Sequence, residues 1–427
     1  MLKYQAILRR AGTGNPINLF LVAIAAFALT CNPLVTSGVQ QTPSNNGQRP
    51  RRVGTTTPPA ADPSPSTPQR PKPAPTSSSV GQEVDEDEVV RVDTQLVSVP
   101  AIVADTTGRP VTGLRAANFA VFEDGSPQRI ANFATTDAPF EVALLLDTSG
   151  STRADVSLIR RAANAFIEAL RPGDRVAVLA FNTALDGTSK LATVEVKTRL
   201  TDDREALRQA IETVGTSNGT PFYDGLERVA REVFGEPPRE EMRGRRALVA
   251  LTDGVDSTSE ADYVDAREQL KRAGLVCYFI QVNTEEFVEE RLMQDCADNG
   301  TLTLSRAQLQ RYQRIFAPRT DAADYGNFCR LGQFERMHIS RSLYNLARRE
   351  MSELARDSGG KTFPVAELRE ARRAFAQVAA EIGTQYSLGY YSTNKSRDGR
   401  FRAIRVEVRG VRNAQVRARE GYQAPRS

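Results

Sequence analysis

The stretch that decides the fold is FEVALLLDTSGS, residues 140–151. Its first part, 141–146, is almost entirely apolar, which is typical of a parallel strand buried on both faces. The run leads directly into Asp147, and Ser149 and Ser151 follow at every second position. The stretch therefore predicts a buried strand whose end presents oxygen-bearing side chains.

Outward from this stretch, strands alternate with helices, which predicts an α/β fold with a doubly wound, mostly parallel sheet. Apolar runs predict further strands at 175–181, 247–251 and 275–282, with an edge strand at 191–196. Two later strands, 386–391 and 401–408, are interpreted as an antiparallel edge that closes this sheet.

The amino-acid composition excludes several classes of binding protein and of catalytic site. The 427 residues contain 56 basic and 52 acidic side chains, a balance that excludes a nucleic-acid binder recognised by bulk charge. The single histidine, His338, excludes most catalytic triads and histidine-rich zinc sites. We therefore expect any site to use oxygen ligands, and we expect His338 to be structural or exposed.

The first 88 residues are not predicted to belong to the folded part. Residues 1–30 have the basic start and apolar core of a signal peptide or membrane anchor. Two fates stay open, namely cleavage or retention as an anchor, and lipidation at Cys31. Residues 31–88 are rich in Pro, Ser and Thr and are predicted to be a disordered linker. Membrane contact is expected only through this N-terminal segment.

The remainder divides into three regions. Residues 89–137 predict a small β domain, in which Asp124 and Gly125 are typical of a hairpin turn between a strand at 119–122 and a strand at 130–133. Residues 138–392 form the α/β domain, and 393–427 form a C-terminal β extension. Within the α/β domain, about 283–338 is an insertion that either covers the strand-end site or is a peripheral decoration.

Three strand-end loops carry the candidate site. Asp147, Ser149 and Ser151 follow one buried strand, Asp253 follows another, and Thr220 lies between them. Ligands bind beyond the carboxyl ends of strands in such sheets. Carboxylate and hydroxyl oxygens suit Mg²⁺, Mn²⁺ or Ca²⁺ and do not suit zinc.

Three ordinary interpretations stand beside the metal site. The Asp147 loop has the composition of a helix cap. In a metal-binding loop, by contrast, Gly150 is expected to permit the tight backbone path. Asp224, one helical turn after Thr220, either supports the site or is a first-turn helix carboxylate. Cys277 is predicted to be a core residue, and a Cys296–Cys329 disulfide is left open.

These residues resemble the von Willebrand factor type A family over about 140–282. Asp147, Ser149 and Ser151 correspond to its D-x-S-x-S motif, Thr220 to its isolated threonine, and Asp253 to its second aspartate. The resemblance implies a metal-ion-dependent adhesion site. By that resemblance the three hydroxyls bind the cation directly, the two carboxylates bind it directly or through water, and a partner's acidic side chain takes the open position.

A second resemblance is to a bacterial group of proteins related to this family. Its N-terminal pattern EDG..Q.I..F corresponds here to residues 123–133, and its C-terminal patterns QY.LGY and GY correspond to 385–390 and 421–422. Together with residues 1–30, this likeness implies an exported protein of the bacterial periplasm, cell envelope or extracellular space.

The sequence thus favours a non-enzymatic, divalent-metal-dependent protein-binding module, with Mg²⁺, Mn²⁺ or Ca²⁺ as the cation and no nucleic-acid partner. The partner is expected to be a protein offering an Asp or Glu carboxylate. One alternative is a structural component of an envelope assembly with a fold-stabilising metal. A metal-dependent hydrolase is disfavoured because the site offers no general base beyond the two carboxylates committed to the metal, and because the sequence has no nucleophile elbow and no phosphate-binding loop.

Overall fold

The computed structural model describes residues 96–150, 156–236, 245–294 and 303–426. The predicted signal or anchor, the linker, Cys31, Ser151 and Cys296 lie outside these residues. Among the helices of the described ranges, none is long and apolar enough to cross a membrane.

The described residues form fourteen strands and eight α-helices. The strands are β1 (Leu96–Ala104), β2 (Phe119–Glu123), β3 (Ser126–Gln128), β4 (Ile130–Ala134), β5 (Glu141–Leu146), β6 (Arg175–Asp186), β7 (Ser189–Thr201), β8 (Arg246–Thr252), β9 (Val276–Val282), β10 (Lys361–Val365), β11 (Tyr386–Tyr391), β12 (Phe401–Val408), β13 (Gln415–Ala418) and β14 (Gly421–Gln423). The helices are α1 (Val156–Ala169), α2 (Arg204–Glu212), α3 (Phe222–Arg228), α4 (Tyr263–Ala273), α5 (Glu285–Leu292), α6 (Arg306–Phe316), α7 (Gln333–Ser358) and α8 (Ala371–Gly383).

The central sheet has six strands in the order β10-β9-β8-β5-β6-β7. All neighbouring pairs are parallel except β6 and β7, which form an antiparallel edge. From β5 the chain adds strands first on one side and later, at β8, on the other side. The fold class predicted from the sequence is confirmed, and the reversal of strand order falls beside β5.

Alternate residues of β5 enter two separate cores, which explains its continuous apolar run. Val142, Leu144 and Leu146 pack with α1, α2 and α8 on one face of the sheet. Ala143 and Leu145 pack with α3, α4 and α7 on the other face. The result is a three-layer arrangement in which the ends of β5 and β8 are fixed by packing on both sides.

The C-terminal strands do not close this sheet, so that interpretation of 386–391 and 401–408 is wrong. Strand β11 lies between β1 and β4 in a sheet of order β13-β1-β11-β4, and β12 lies between β14 and β2 in a second sheet of order β14-β12-β2-β3. Side chains of both sheets share one hydrophobic core. N-terminal and C-terminal strands therefore build a single β-sandwich together.

The predicted hairpin exists, but with a different second strand. Strand β2 pairs with β3, and Glu123 faces Ser126 across a two-residue turn. Asp124 and Gly125 both have positive φ, at 46° and 82°, as the tightest hairpin turns require. Strand β4 follows directly and joins the other sheet. The position of the turn was therefore predicted correctly, whereas the strand expected to pair with β2 was wrong.

The insertion packs around a core of its own. Helices α5 and α6 and the first half of α7 contribute apolar side chains to one cluster. This cluster also includes Val255, which follows β8, so the insertion is attached at the carboxyl edge of the central sheet.

Candidate metal site

Asp147 ends β5 and is held from two sides. Its backbone N–H donates to the carbonyl oxygen of Leu251 in β8 at 2.9 Å. One carboxylate oxygen accepts from the N–H of Ser149 at 3.0 Å, and the other accepts from the Thr252 hydroxyl at 2.6 Å. Since only 1% of Asp147 is exposed, the carboxylate has a fixed, buried position between two strand ends.

Ser149 is buried beside Asp147 and lines a cavity at this edge of the sheet. Gly150 lines the same cavity, but its φ is not in the left-handed region and a Cβ built there would meet no atom of the described residues within 4 Å. The loop conformation therefore does not require the glycine that we expected it to need. The predicted role of Ser151 stays a prediction.

Thr220 reaches the same edge through a loop. Its N–H donates to the Ser257 hydroxyl at 2.8 Å, and the N–H of Ser257 donates back to the carbonyl oxygen of Thr220 at 3.0 Å. The N–H of Ser217 donates to the carbonyl oxygen of Thr148 at 2.9 Å. These bonds join the Thr220 loop to the loops that follow β5 and β8.

Asp253 is fixed in the same manner as Asp147. One of its oxygens accepts from the N–H of Val255 at 2.9 Å, and the other accepts from the Thr284 hydroxyl at 2.6 Å. The Thr284 hydroxyl also lies 2.7 Å from the hydroxyl of Tyr344 in α7. Asp253, Ser149 and Thr220 all line one cavity, so the structure brings these predicted residues together, with Asp147 behind them.

Three residues that support the site were not predicted as part of it. Thr252 and Thr284 each donate to one of the aspartates, and Tyr344 contacts Thr284. Thr284 follows β9 at the same edge of the sheet, so its strand-end position is a signal that could have found it. Tyr344 carries no such signal, because its place depends on how α7 packs.

The two aspartates destabilise each other's charge. Burial, together with the negative charge of Asp253, raises the pKa of Asp147 well above the ordinary carboxyl value. Burial and the charge of Asp253 likewise raise the pKa of Tyr344. A cation among these oxygens would remove the penalty, and the hard oxygen donors suit an alkaline-earth ion or Mn²⁺. The residues present therefore fit a divalent metal.

The candidate metal ligands include few charged side chains. Within the described ranges, no group of three or more His, Cys, Asp or Glu side chains is placed to hold a metal ion. The candidate site instead combines two carboxylates with the hydroxyls of Ser149 and Thr220. A divalent ion held there would keep positive charge and attract an external anion.

Asp224 does not line the cavity of the candidate metal site. Its carboxylate accepts from the N–H groups of Glu260 at 3.1 Å and of Ala261 at 2.9 Å, ahead of α4. It thus lies in the first turn of α3 and orders a neighbouring loop. Asp256, which sequence reasoning missed, accepts from the N–H of Phe222 at 2.8 Å, and burial raises its pKa.

Cys277, Cys329 and His338 do not line the cavity of this site. Cys277 is free and buried in β9, as predicted. Cys329 is disulfide-bonded, and Cys296, the partner that the sequence left open, lies outside the described residues. His338 is exposed, and its ring lies 6.2 Å from that of Tyr312 in the insertion.

The region that carries these loops matches a known family. Residues 141–311 match the von Willebrand factor type A domain. This part of the chain is a von Willebrand factor type A domain. Domains of this family typically mediate protein–protein interaction, are often metal-dependent adhesion modules, and commonly bind a divalent metal.

Solved structures to which the chain is similar include animal and bacterial proteins. Proximal thread matrix protein 1 from the mussel byssus is 13% identical over 57% of this chain and 48% of that chain, with a TM-score of 0.34. Its form with a zinc-occupied adhesion-site motif is 16% identical over 60% and 48%, with a TM-score of 0.35. The von Willebrand factor type A protein from Catenulispora acidiphila is 12% identical over 79% and 75%, with a TM-score of 0.35.

This chain thus spans about half the length of the mussel chain, 48% of it. No curated protein matches the chain significantly.

Proposed function

We propose that this chain is an exported protein-binding module that depends on a divalent cation, Mg²⁺ foremost and Mn²⁺ or Ca²⁺ as alternatives. Ser149, Ser151 and Thr220 would hold the ion directly, and Asp147 and Asp253 would hold it directly or through water. The bound ion supplies a positive centre with an open position. An Asp or Glu carboxylate of a partner protein would occupy that position.

One observation carries this proposal. Two carboxylates, Asp147 at 1% and Asp253 at 4% exposure, are buried at the same sheet edge beside the hydroxyls of Ser149 and Thr220. Burying two like charges is unfavourable unless a counter-charge or protons compensate for them. Each aspartate oxygen accepts a hydrogen bond, and these bonds hold the two carboxylates in fixed orientations. A bound cation would supply the counter-charge that the buried pair needs.

Calorimetric titration of the full chain with Mg²⁺ and Mn²⁺ tests the proposal. The parent protein should bind one ion, and Asp147→Ala should abolish the heat of binding. Asp202→Ala, which removes an exposed carboxylate beyond β7, is the matched control and should bind as the parent does. A parent protein that binds neither ion would refute the metal-dependent function.

A structural role for the metal is the second candidate, because the aspartate loops join β5, β8 and β9. The two roles differ in one measurable respect. A purely structural metal would raise the melting temperature without affecting any partner, whereas a bridging metal holds the partner as well. A pull-down from envelope extract with and without chelator, together with melting curves of the same samples, separates them.

Export is part of the proposal and rests on the composition of residues 1–30, with their basic start and apolar core. Mass spectrometry of the protein from its native host tests it. An N-terminus beyond residue 25, or a lipid-modified Cys31, would support export. An intact Met1 in a soluble cytosolic fraction would contradict it.

A further inference from the structure

A cavity of about 160 Å³ lies between the candidate metal site and the insertion. Ser149, Thr220 and Asp253 form one side of it. Helices α5 and α6 of the insertion, together with α7, which begins inside it, form the opposite side. Any group that approaches the metal site through this cavity therefore contacts the insertion as well.

The cavity has the size of one side chain. An apolar protein cavity of about 150 Å³ accepts a guest as large as benzene, whereas pockets for drug-sized molecules begin at about 300 Å³. Its apolar wall consists of five aliphatic residues: Val255, Val288, Leu292, Leu304 and Leu343. Such a wall favours an aliphatic side chain no larger than benzene.

One polar atom in this wall lacks a partner. The hydroxyl oxygen of Ser340 in α7 is buried and has no hydrogen-bond partner among the described residues, and Ser340 itself is 1% exposed. A buried hydroxyl without a partner is costly and uncommon in native proteins. The guest is therefore expected to bring a hydrogen-bonding group next to its aliphatic part.

The site residues are accessible only to a narrow guest. Ser149, Thr220 and Asp253 are 3%, 6% and 4% exposed, so a broad protein face cannot reach them in this conformation. An extended peptide can, because its side chains at positions i and i+2 point to the same side, about 6.7 Å apart. One such side chain would reach the metal and the other would enter the cavity.

We propose that the cavity is a specificity pocket for an aliphatic side chain, of Leu, Ile or Met size, two positions from the partner's acidic residue. The Ser340 hydroxyl would bind a peptide group of the same segment. This inference rests on the proposed metal-dependent function, because the acidic residue is placed by the cation. It assigns the insertion a role in selecting the partner.

Synthetic peptides test the proposal with the full chain in Mg²⁺. The probes are acetyl-Gly-Gly-Asp-Gly-Xaa-Gly-Gly-amide and the series with Asp and Xaa exchanged, where Xaa is Gly, Leu or Trp. In one of the two orders, the Leu peptide should bind at least tenfold more tightly than the Gly peptide, and the Trp peptide no better than Gly. Replacing Asp by Asn in the probe should remove binding of all three.

Three variants locate the effect. Ser340→Leu fills the cavity and should remove the preference for Leu while the calorimetric titration with Mg²⁺ stays unchanged. Ser342→Leu on the same helix does not line the cavity and should keep both properties. Leu343→Ala enlarges the cavity and should admit the Trp peptide, which gives a result even if Ser340→Leu fails to fold.

Several outcomes would overturn the proposal. These are equal affinity for the Gly and Leu peptides in both orders, an unchanged Leu preference in Ser340→Leu, or free 4-methylpentanoate binding as tightly as the Leu peptide. The last result would assign the pocket to small acids. Failure of the proposed function itself is distinguishable, because the parent would then bind no Mg²⁺ in the titration made without peptide.

Discussion

At the scale of single residues, the candidate site depends on how two buried carboxylates are oriented. Asp147 and Asp253 each accept one backbone N–H and one threonine hydroxyl. Thr252 and Thr284 thus have matching roles at the ends of β8 and β9. This arrangement fixes both carboxylates before any ion binds, so an ion would not have to order them.

The raised pKa of Asp147 predicts how the metal-free protein responds to pH. In the folded state this carboxyl stays protonated above the ordinary carboxyl pKa of about 4. The folded state then holds more protons than the unfolded state, so the free energy of unfolding falls as pH rises from about 4 through the raised pKa. Denaturant unfolding in EDTA at a series of pH values should show this decline.

Asp147→Asn should flatten part of that decline, because the amide does not titrate. The remaining slope is expected from Asp256 and Glu350, whose pKa values are also raised by burial. A slope in the variant as steep as in the parent would contradict the assignment to Asp147.

Thr284→Val tests the support of Asp253. The change keeps the side-chain shape but removes the hydroxyl that donates to Asp253 and contacts Tyr344. We expect a loss of about 1–3 kcal/mol in the free energy of unfolding, because a buried acceptor loses its donor, together with weaker Mg²⁺ binding. Thr320→Val, at an exposed threonine of the insertion, should leave both unchanged.

At the scale of elements, the insertion and the central domain are joined through α6, α7 and α3. Arg311 of α6 donates to both oxygens of Glu350 in α7 at 2.7 and 3.0 Å, and Tyr223 of α3 donates to the same carboxylate at 2.7 Å. The guanidinium also lies 4.4 Å from the centre of the Tyr223 ring. These contacts hold the insertion over the carboxyl edge of the sheet.

Arg311→Met should therefore destabilise the protein. The Arg311 and Glu350 side chains are 13% and 9% exposed, so the change leaves a buried carboxylate without its cation. Removing one partner of a buried pair typically costs about 3 kcal/mol. Thermal unfolding should show a lower melting temperature for Arg311→Met than for Arg314→Met, a change at an exposed arginine of the same helix. Equal melting temperatures would refute the bridging role.

At the scale of the whole molecule, the two ends of the described chain meet at Glu123. Its carboxylate accepts from the hydroxyls of Tyr390 at 2.7 Å, Tyr422 at 2.9 Å and Ser392 at 2.5 Å. The guanidinium of Arg402 lies 3.3 Å away. The N-terminal EDG pattern and both C-terminal tyrosine patterns of the sequence are thus parts of one buried cluster.

Arg402→Met should disrupt this cluster. The Arg402 and Glu123 side chains are 4% and 2% exposed, and Glu123 would lose its only cationic partner among the described residues. We expect a loss of about 3 kcal/mol in the free energy of unfolding, measured by urea denaturation. Arg400→Met, at a side chain that is 85% exposed, is the control and should be close to neutral.

The features that the sequence predicts correctly are local, and the features that it misses depend on contacts between distant parts of the chain. The strand 141–146 and the positions of Asp147 and Asp253 at strand ends follow from local sequence patterns, and both predictions were correct. Strands β11 and β12 were assigned to the wrong sheet, because alternating apolar residues do not indicate a partner strand that lies more than 250 positions away in the sequence. The Tyr344–Thr284 contact was missed for the same reason, since it depends on the path of the insertion.

The most direct test of the central claim is a crystal structure of the full chain grown with Mn²⁺, with data collected at the manganese absorption edge. We expect one strong anomalous peak, bordered by the hydroxyls of Ser149, Ser151 and Thr220 and by the carboxylates of Asp147 and Asp253. If Mn²⁺ occupied another site and no peak lay at this position, the proposed metal site would be contradicted.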